Sequence, residues 1–221
     1  MPREAYRPGV STGWLPWSAA SLASGAVLLV LGALTLPPTS EVGQVVGTVR
    51  REDAAWLMAS AAFFLASVAL TMGLPAILTL MPAKRQFVGL VGLWIWSIGT
   101  IGTSALAAFL ILFRATVRVV DISPTDVEEL GRDHVMTLGL LFVFGAFYLG
   151  ELVVALVLLL DSRLPRWIPA LLLVHIAAAP VNHLLPQQLQ GVQAVVLGGG
   201  LMALAVRSTE AWASSRVPAT G

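Results

Sequence analysis

Apolar runs of about 20 residues recur along almost the whole chain, and that recurrence restricts the fold more than any motif does. Inside a bilayer every backbone amide must find an internal partner, which leaves only α-helices and closed barrels. Runs of this length exceed what a membrane β-strand needs, so they predict helices. Hydropathy draws six spans, at about 14–36, 54–81, 87–113, 135–160, 167–185 and 189–206. Each covers a hydrocarbon layer of roughly 30 Å at a rise of about 1.5 Å per residue. Breakers and charges separate them, in "LPPTSEVGQVVGTVRRED", "MPAKRQ", "RATVRVVDISPTDVEELGRDH", "DSRLPRW" and "LPQQLQ". The expected fold is all-α, a polytopic transmembrane bundle of six helices, with residues 1–221 forming a single membrane-embedded domain. Composition agrees: 57% of residues are hydrophobic and 11% charged, leaving too little polar chain for a separate soluble domain.

The first run, "SAASLASGAVLLVLGALTL", follows Arg3 and Arg7 as a secretory signal would. It is long for a signal core, and "LPPTSE" after it offers no small-x-small cleavage site, so it is expected to stay as a transmembrane helix.

Charge speaks to orientation and partners. A formal net charge of +1 without a lysine-arginine block excludes nucleic acid as a partner, since phosphate binding needs clustered basic surface. The lipid bilayer is the expected surrounding partner. With the N-terminus inside, eight basic residues fall on cytoplasmic segments: Arg3, Arg7, Lys84, Arg85, Arg163, Arg166, Arg207 and Arg216. Five, Arg50, Arg51, Arg114, Arg118 and Arg132, fall outside. The positive-inside rule then predicts a multi-pass protein of the cell inner (plasma) membrane with both termini cytoplasmic. In the longest polar connection, Ser123, Pro124 and Asp126 have capping-box spacing and predict a short amphipathic helix leading into the fourth span. Small residues on the third span (Gly89, Gly92, Gly99, Gly102, Thr103, Ala107) and Gly198 to Gly200 on the sixth predict close helix packing, within one chain or between chains.

Glu151 is the exception in the apolar "FGAFYLGELVVALVLLLD". An ionisable group at the bilayer centre costs about 3 kcal/mol on insertion scales, so it faces the bundle interior with a partner. Glu151 lies twelve residues before Arg163 in the short connection, and His175 lies twelve after it. Equal distances from a shared turn imply similar depth, roughly 10–15 Å above the interface, and make Glu151 and His175 an acid–imidazole candidate pair. Tyr148 shares a helical face with Glu151, and Asn182 follows His175 by seven residues. Pro180 is expected to free the carbonyl of Ile176. Trp94 and Trp96 should lie near that depth, with Phe142, Phe144 and Phe147 completing apolar walls. A further polar group, His134, Asn182, His183, Gln187, Gln188, Gln190 and Gln193, gathers towards the outer side.

Other chemistries lack their residues. The chain has no cysteine, which removes thiolate catalysis, iron–sulfur clusters and thiolate zinc sites. It has no HExxH, GxSxG or P-loop, and Gly198 to Gly200 are neither preceded by a strand nor followed by Lys-Ser/Thr. No metal and no cofactor is expected. Haem ligation by two of the histidines has no recognisable spacing behind it.

The stretch "ELVVALVLLLDSRLPRWIPALLLVHIAAAP" resembles small six-helix integral membrane proteins of bacteria, many actinobacterial, in which a hydrophobic helix ends in a Pro-Arg-Trp turn and re-enters as a leucine-rich helix. The resemblance implies the six-helix architecture and carries no catalytic residue across. The residues support a lipophilic-ligand pocket near the midplane. There Glu151 is the expected proton donor or acceptor with His175 paired to it, and Tyr148 and Asn182, between walls that include Trp94 and Trp96, are expected to orient an isoprenoid or polyketide-like substrate in an isomerase or cyclase. The alternative is a transporter, channel subunit or accessory protein in which the pair is a proton relay or a packing contact.

Overall fold

The computed structural model describes residues 12–38, 42–160, 164–184 and 191–214. These form eight α-helices: α1 (Leu15–Thr35), α2 (Val42–Arg51), α3 (Asp53–Gly73), α4 (Gln86–Val119), α5 (Pro124–Gly131), α6 (His134–Leu159), α7 (Trp167–Ala178) and α8 (Val192–Ser214). No strand occurs among the described residues. Five helices are long and apolar enough to cross a membrane: α1, α3 with its 3-10 extension to Leu80, α4 with the short turn before it, α6 and α8.

The six-span expectation is therefore met in five places and altered in one. The span expected at 167–185 is a 12-residue α-helix, α7, continued by a 3-10 segment, Ala179–Leu184. Pro180 is the reason: a ring without an N–H cannot extend the α-ladder, and the chain tightens instead. The carbonyl of Ile176 is not freed as expected, because it accepts from the Ala179 N–H that caps the helix. Pro75 has the same effect after α3, where Leu74–Leu80 is 3-10. At its far end α4 outruns the expected boundary of 113, reaching Val119 and carrying Arg114 and Arg118 on helix. Its 34 residues span about 51 Å.

Glycine decides two of the main helix pairings. A Cβ on Gly99 would collide with the backbone of Phe147, and one on Gly150 with the backbone of Trp96, so α4 and α6 touch main chain to main chain. Gly73 stands likewise against the backbone of Leu22, and a Cβ on Gly25 would lie 2.8 Å from Leu70, which closes α1 on α3. Small residues permit this where lipid supplies no hydrophobic drive between helices. A hydroxyl seam joins α3 to α4. Ser67 Oγ donates to the Thr100 carbonyl and lies 2.8 Å from Ser104 Oγ, while Thr71 Oγ1 is 3.1 Å from Thr100 Oγ1. Gly198 and Gly200 bring α8 against Val30 of α1 and Leu172 of α7, within this chain. Leu22, Leu158, Ile168, Leu172, Leu197 and Leu201 fill the resulting core.

A second, smaller core lies at the first turn of α3 and the last turns of α4. Val46 and Val49 of α2 pack there with Trp56, Phe113 and Val117, and with Val127 of α5. Charges ring this cap. Arg114 grips Asp53 through two bonds of 2.5 and 2.6 Å, Arg118 adds a third at 3.2 Å, and Arg50 pairs with Asp121 at 3.2 Å. The predicted amphipathic helix is present as α5, with a complete capping box between Ser123 and Asp126. The Ser123 N–H and hydroxyl, both donating to Asp126, hold its carboxyl below the usual carboxylate range.

Candidate functional site

Glu151 has no exposed surface and His175 retains 5%. His175 Nδ1 lies 2.9 Å from each Glu151 carboxylate oxygen. Equidistance from both oxygens fits an N–H aimed between them, the tautomer in which the carboxylate is ionised and accepts a forked bond. Two helices set this geometry. Gly150 draws α6 onto α4 and turns Glu151 towards α7, and Leu172 and Ile168, one and two turns before His175, are fully buried on the same face.

A cavity of about 390 Å³ opens in front of the imidazole, within the size range of small-molecule sites. Six helices contribute to it: Leu29 and Ala33 from α1, Ser67 and Leu70 from α3, Thr103 and Leu106 from α4, Phe147 and Tyr148 from α6, His175 and Asn182 from α7 and its extension, and Gln193 and Leu197 from α8. Among the described residues no lysine, arginine, aspartate or glutamate lines it. Glu151 stands behind His175, so the pair presents an imidazole to the cavity and keeps its charge-bearing partner in the wall.

Of the residues singled out from sequence, Tyr148, His175 and Asn182 line this cavity and Glu151 touches His175. The Tyr148 ring lies 5.5 Å from the imidazole, centroid to centroid, and Phe147 stands edge-on to it at 6.3 Å. The tryptophans are not brought in. Trp94 is 71% exposed on the outer face of α4, because two residues along a helix turn the side chain through roughly 200°. Trp96 is buried, but against Phe147 at 6.0 Å rather than in the cavity. Phe142 faces outward, whereas Phe144 lines the cavity. His134 is exposed at the start of α6. The side chain of His183, and Arg163, Gln187, Gln188 and Gln190, fall outside the described residues.

Gln193 was grouped with the interfacial residues, and the structure makes it part of the site. Its Nε2 donates to Tyr148 Oη at 3.3 Å and to the His175 carbonyl at 3.5 Å, tying α8 to both site helices. Its signal in the sequence is a lone amide one residue into an apolar helix. Asn182 Oδ1 is buried with no hydrogen-bond partner among the described residues, an acceptor at the cavity wall. Among the described residues no three His, Cys, Asp or Glu side chains converge as metal ligands. What the arrangement can do is hold an apolar molecule against an oriented imidazole and move a proton on it. No protein-family model matches this chain, and neither a curated protein nor a solved structure shows significant similarity to it.

Proposed function

We propose that this chain is a multi-pass membrane enzyme, an isomerase or cyclase, that takes a lipophilic substrate of isoprenoid or polyketide-like type from the bilayer. His175 Nε2 removes a proton at one position and returns it at another, so the reaction balances without oxidant or reductant. Glu151 is a positioning residue: it fixes the ring and stabilises the imidazolium that forms on proton pickup. Tyr148 and Asn182 orient the polar end of the substrate. The observation that carries the reading is the 2.9 Å contact between Glu151 and His175 Nδ1, with the ring at the wall of an uncharged cavity. The proposal places six spans in the cell inner membrane with both termini cytoplasmic, the 3-10 segment completing the crossing begun by α7. It includes kinship with the small six-helix actinobacterial-type proteins.

The test begins with mass spectrometry of lipophilic compounds that co-purify with the protein, followed by turnover of the identified compound in nanodiscs. Replacing a general acid–base removes typically 10²–10⁴-fold in rate, so His175→Gln should fall by at least about 10²-fold. Glu151→Gln should fall less and shift the pH profile. Full turnover by His175→Gln overturns the reading.

One observation favours a second reading. α7 is broken at membrane depth and lines the cavity, as discontinuous helices do in transporters, where the pair would relay protons. Flux of the same compound into proteoliposomes, driven by a pH gradient and abolished by His175→Gln, supports transport over catalysis.

A further inference from the structure

The polar groups of the cavity are unevenly distributed and unevenly satisfied. Ser67 and Thr103, on the α3–α4 side, are already engaged: Ser67 with Ser104 and the Thr100 carbonyl, Thr103 with that same carbonyl at 2.6 Å. Around α6, α7 and α8 the accounting is different. Gln193 donates to Tyr148 Oη, so the Tyr148 hydroxyl hydrogen is left to donate into the cavity. In the tautomer that gives the Nδ1–H of His175 to Glu151, Nε2 keeps a lone pair, and among the described residues no bond reaches that nitrogen. Asn182 Oδ1 is a buried acceptor without a donor among the described residues. In that tautomer the cavity offers acceptors at His175 Nε2 and Asn182 Oδ1 and a donor at Tyr148 Oη.

Charge narrows the occupant further. Among the described residues no lysine or arginine lines the cavity, and the Glu151 carboxyl group stands one imidazole ring away. A carboxylate or phosphate would lose its water and meet a like charge with no arginine or lysine to offset it. A group with acceptors alone would leave Asn182 and His175 unsatisfied. A hydroxyl fits both demands, since it donates to His175 Nε2 or Asn182 Oδ1 and accepts from Tyr148.

We infer that the cavity selects an uncharged, hydroxyl-bearing lipophile by its head group and rejects the corresponding acids and phosphate esters. This rests on the cavity being the substrate site, and it narrows the substrate class to alcohols or phenols, diphosphates being excluded. The acceptor on His175 is also the atom that would take a proton, so the hydroxyl is held at the reacting group.

The test measures binding, without turnover, to the full chain in nanodiscs of zwitterionic lipid at pH 8. Three probes share one C20 isoprenoid chain: geranylgeraniol, its methyl ether and geranylgeranoic acid. The alcohol should bind saturably, and the ether about tenfold more weakly because it cannot donate. The acid should bind more weakly still. Asn182→Leu should shrink the gap between alcohol and ether, and Tyr148→Phe should weaken both by a similar factor and leave the gap, with unfolding profiles unchanged as the check on folding. Equal binding of the three probes, or tighter binding of the acid, overturns the head-group inference and leaves the cavity as the site. Absence of saturable binding, or binding of the alcohol that survives filling the cavity with Leu106→Trp, overturns both.

Discussion

A carboxylate with no exposed surface is held in place by what it touches, and for Glu151 that is His175. Removing one member of a buried pair strands the other, at a cost of about 3–5 kcal/mol, whereas replacing both by apolar groups is often near neutral. Glu151→Leu should therefore destabilise the protein in detergent by about 3–5 kcal/mol, and the double variant with His175→Leu should recover most of that loss. Purely additive effects in reversible unfolding would show that the pair is not coupled. This pairing was legible in the sequence, because a short connection between helices converts equal residue counts into equal depth. The azimuth around the helix was not legible. Trp94 and Trp96 share that depth, yet one faces outward and the other packs behind Phe147. Gln193 was legible only as one of a polar group towards the outer side: an amide near a helix end is a common interfacial residue, and the approach of α8 to Tyr148 gives it a role.

Helices in this chain are placed by close approach as much as by apolarity. α6 carries its own internal control. Gly150 abuts the Trp96 backbone, whereas Gly139 and Gly145 have nothing within 4 Å of where a Cβ would be. Gly150→Ala, and Gly99→Ala opposite it, should push α4 from α6 and cost about 1–3 kcal/mol. Gly139→Ala and Gly145→Ala should be neutral or slightly stabilising, since alanine is the better helix former by up to about 1 kcal/mol. Equal effects at all four positions, by thermal unfolding in one detergent, would refute the main-chain contact. The same scale explains the altered fifth span. Hydropathy registers how long an apolar run is and not whether its backbone stays helical, so 167–185 read as one span although Pro180 divides it. α2 was missed for the opposite reason, since "VGQVVGTVRR" is too polar to register as a span yet forms an amphipathic helix. α5 was foreseen because its capping box is a local signal needing no tertiary partner.

At the scale of the molecule the open quantity is which end faces the cytoplasm. The native chain has no cysteine, so a single introduced thiol reports its own side. Asp121, with a fully exposed side chain beyond α4, and Lys84, exposed before it, bracket the same long helix. In intact cells Asp121→Cys should react with a membrane-impermeant maleimide, and Lys84→Cys only after permeabilisation. The reverse pattern would invert the topology.

The two cores described above live in different solvents. The bundle core is surrounded by lipid tails, and its cohesion comes from packing and hydrogen bonds. The cap around Val46, Val49, Trp56, Phe113 and Val117 lies under α2 and α5, helices too polar for hydrocarbon, and so is assembled against water. Apolar burial from water carries a large heat-capacity change and weakens on cooling, whereas packing within lipid does not share that signature. Leu36 and Leu110 belong to the cap's packing and also line the cavity. Cold should therefore loosen one end of the cavity while the bundle beneath it holds, making access to the site a function of temperature.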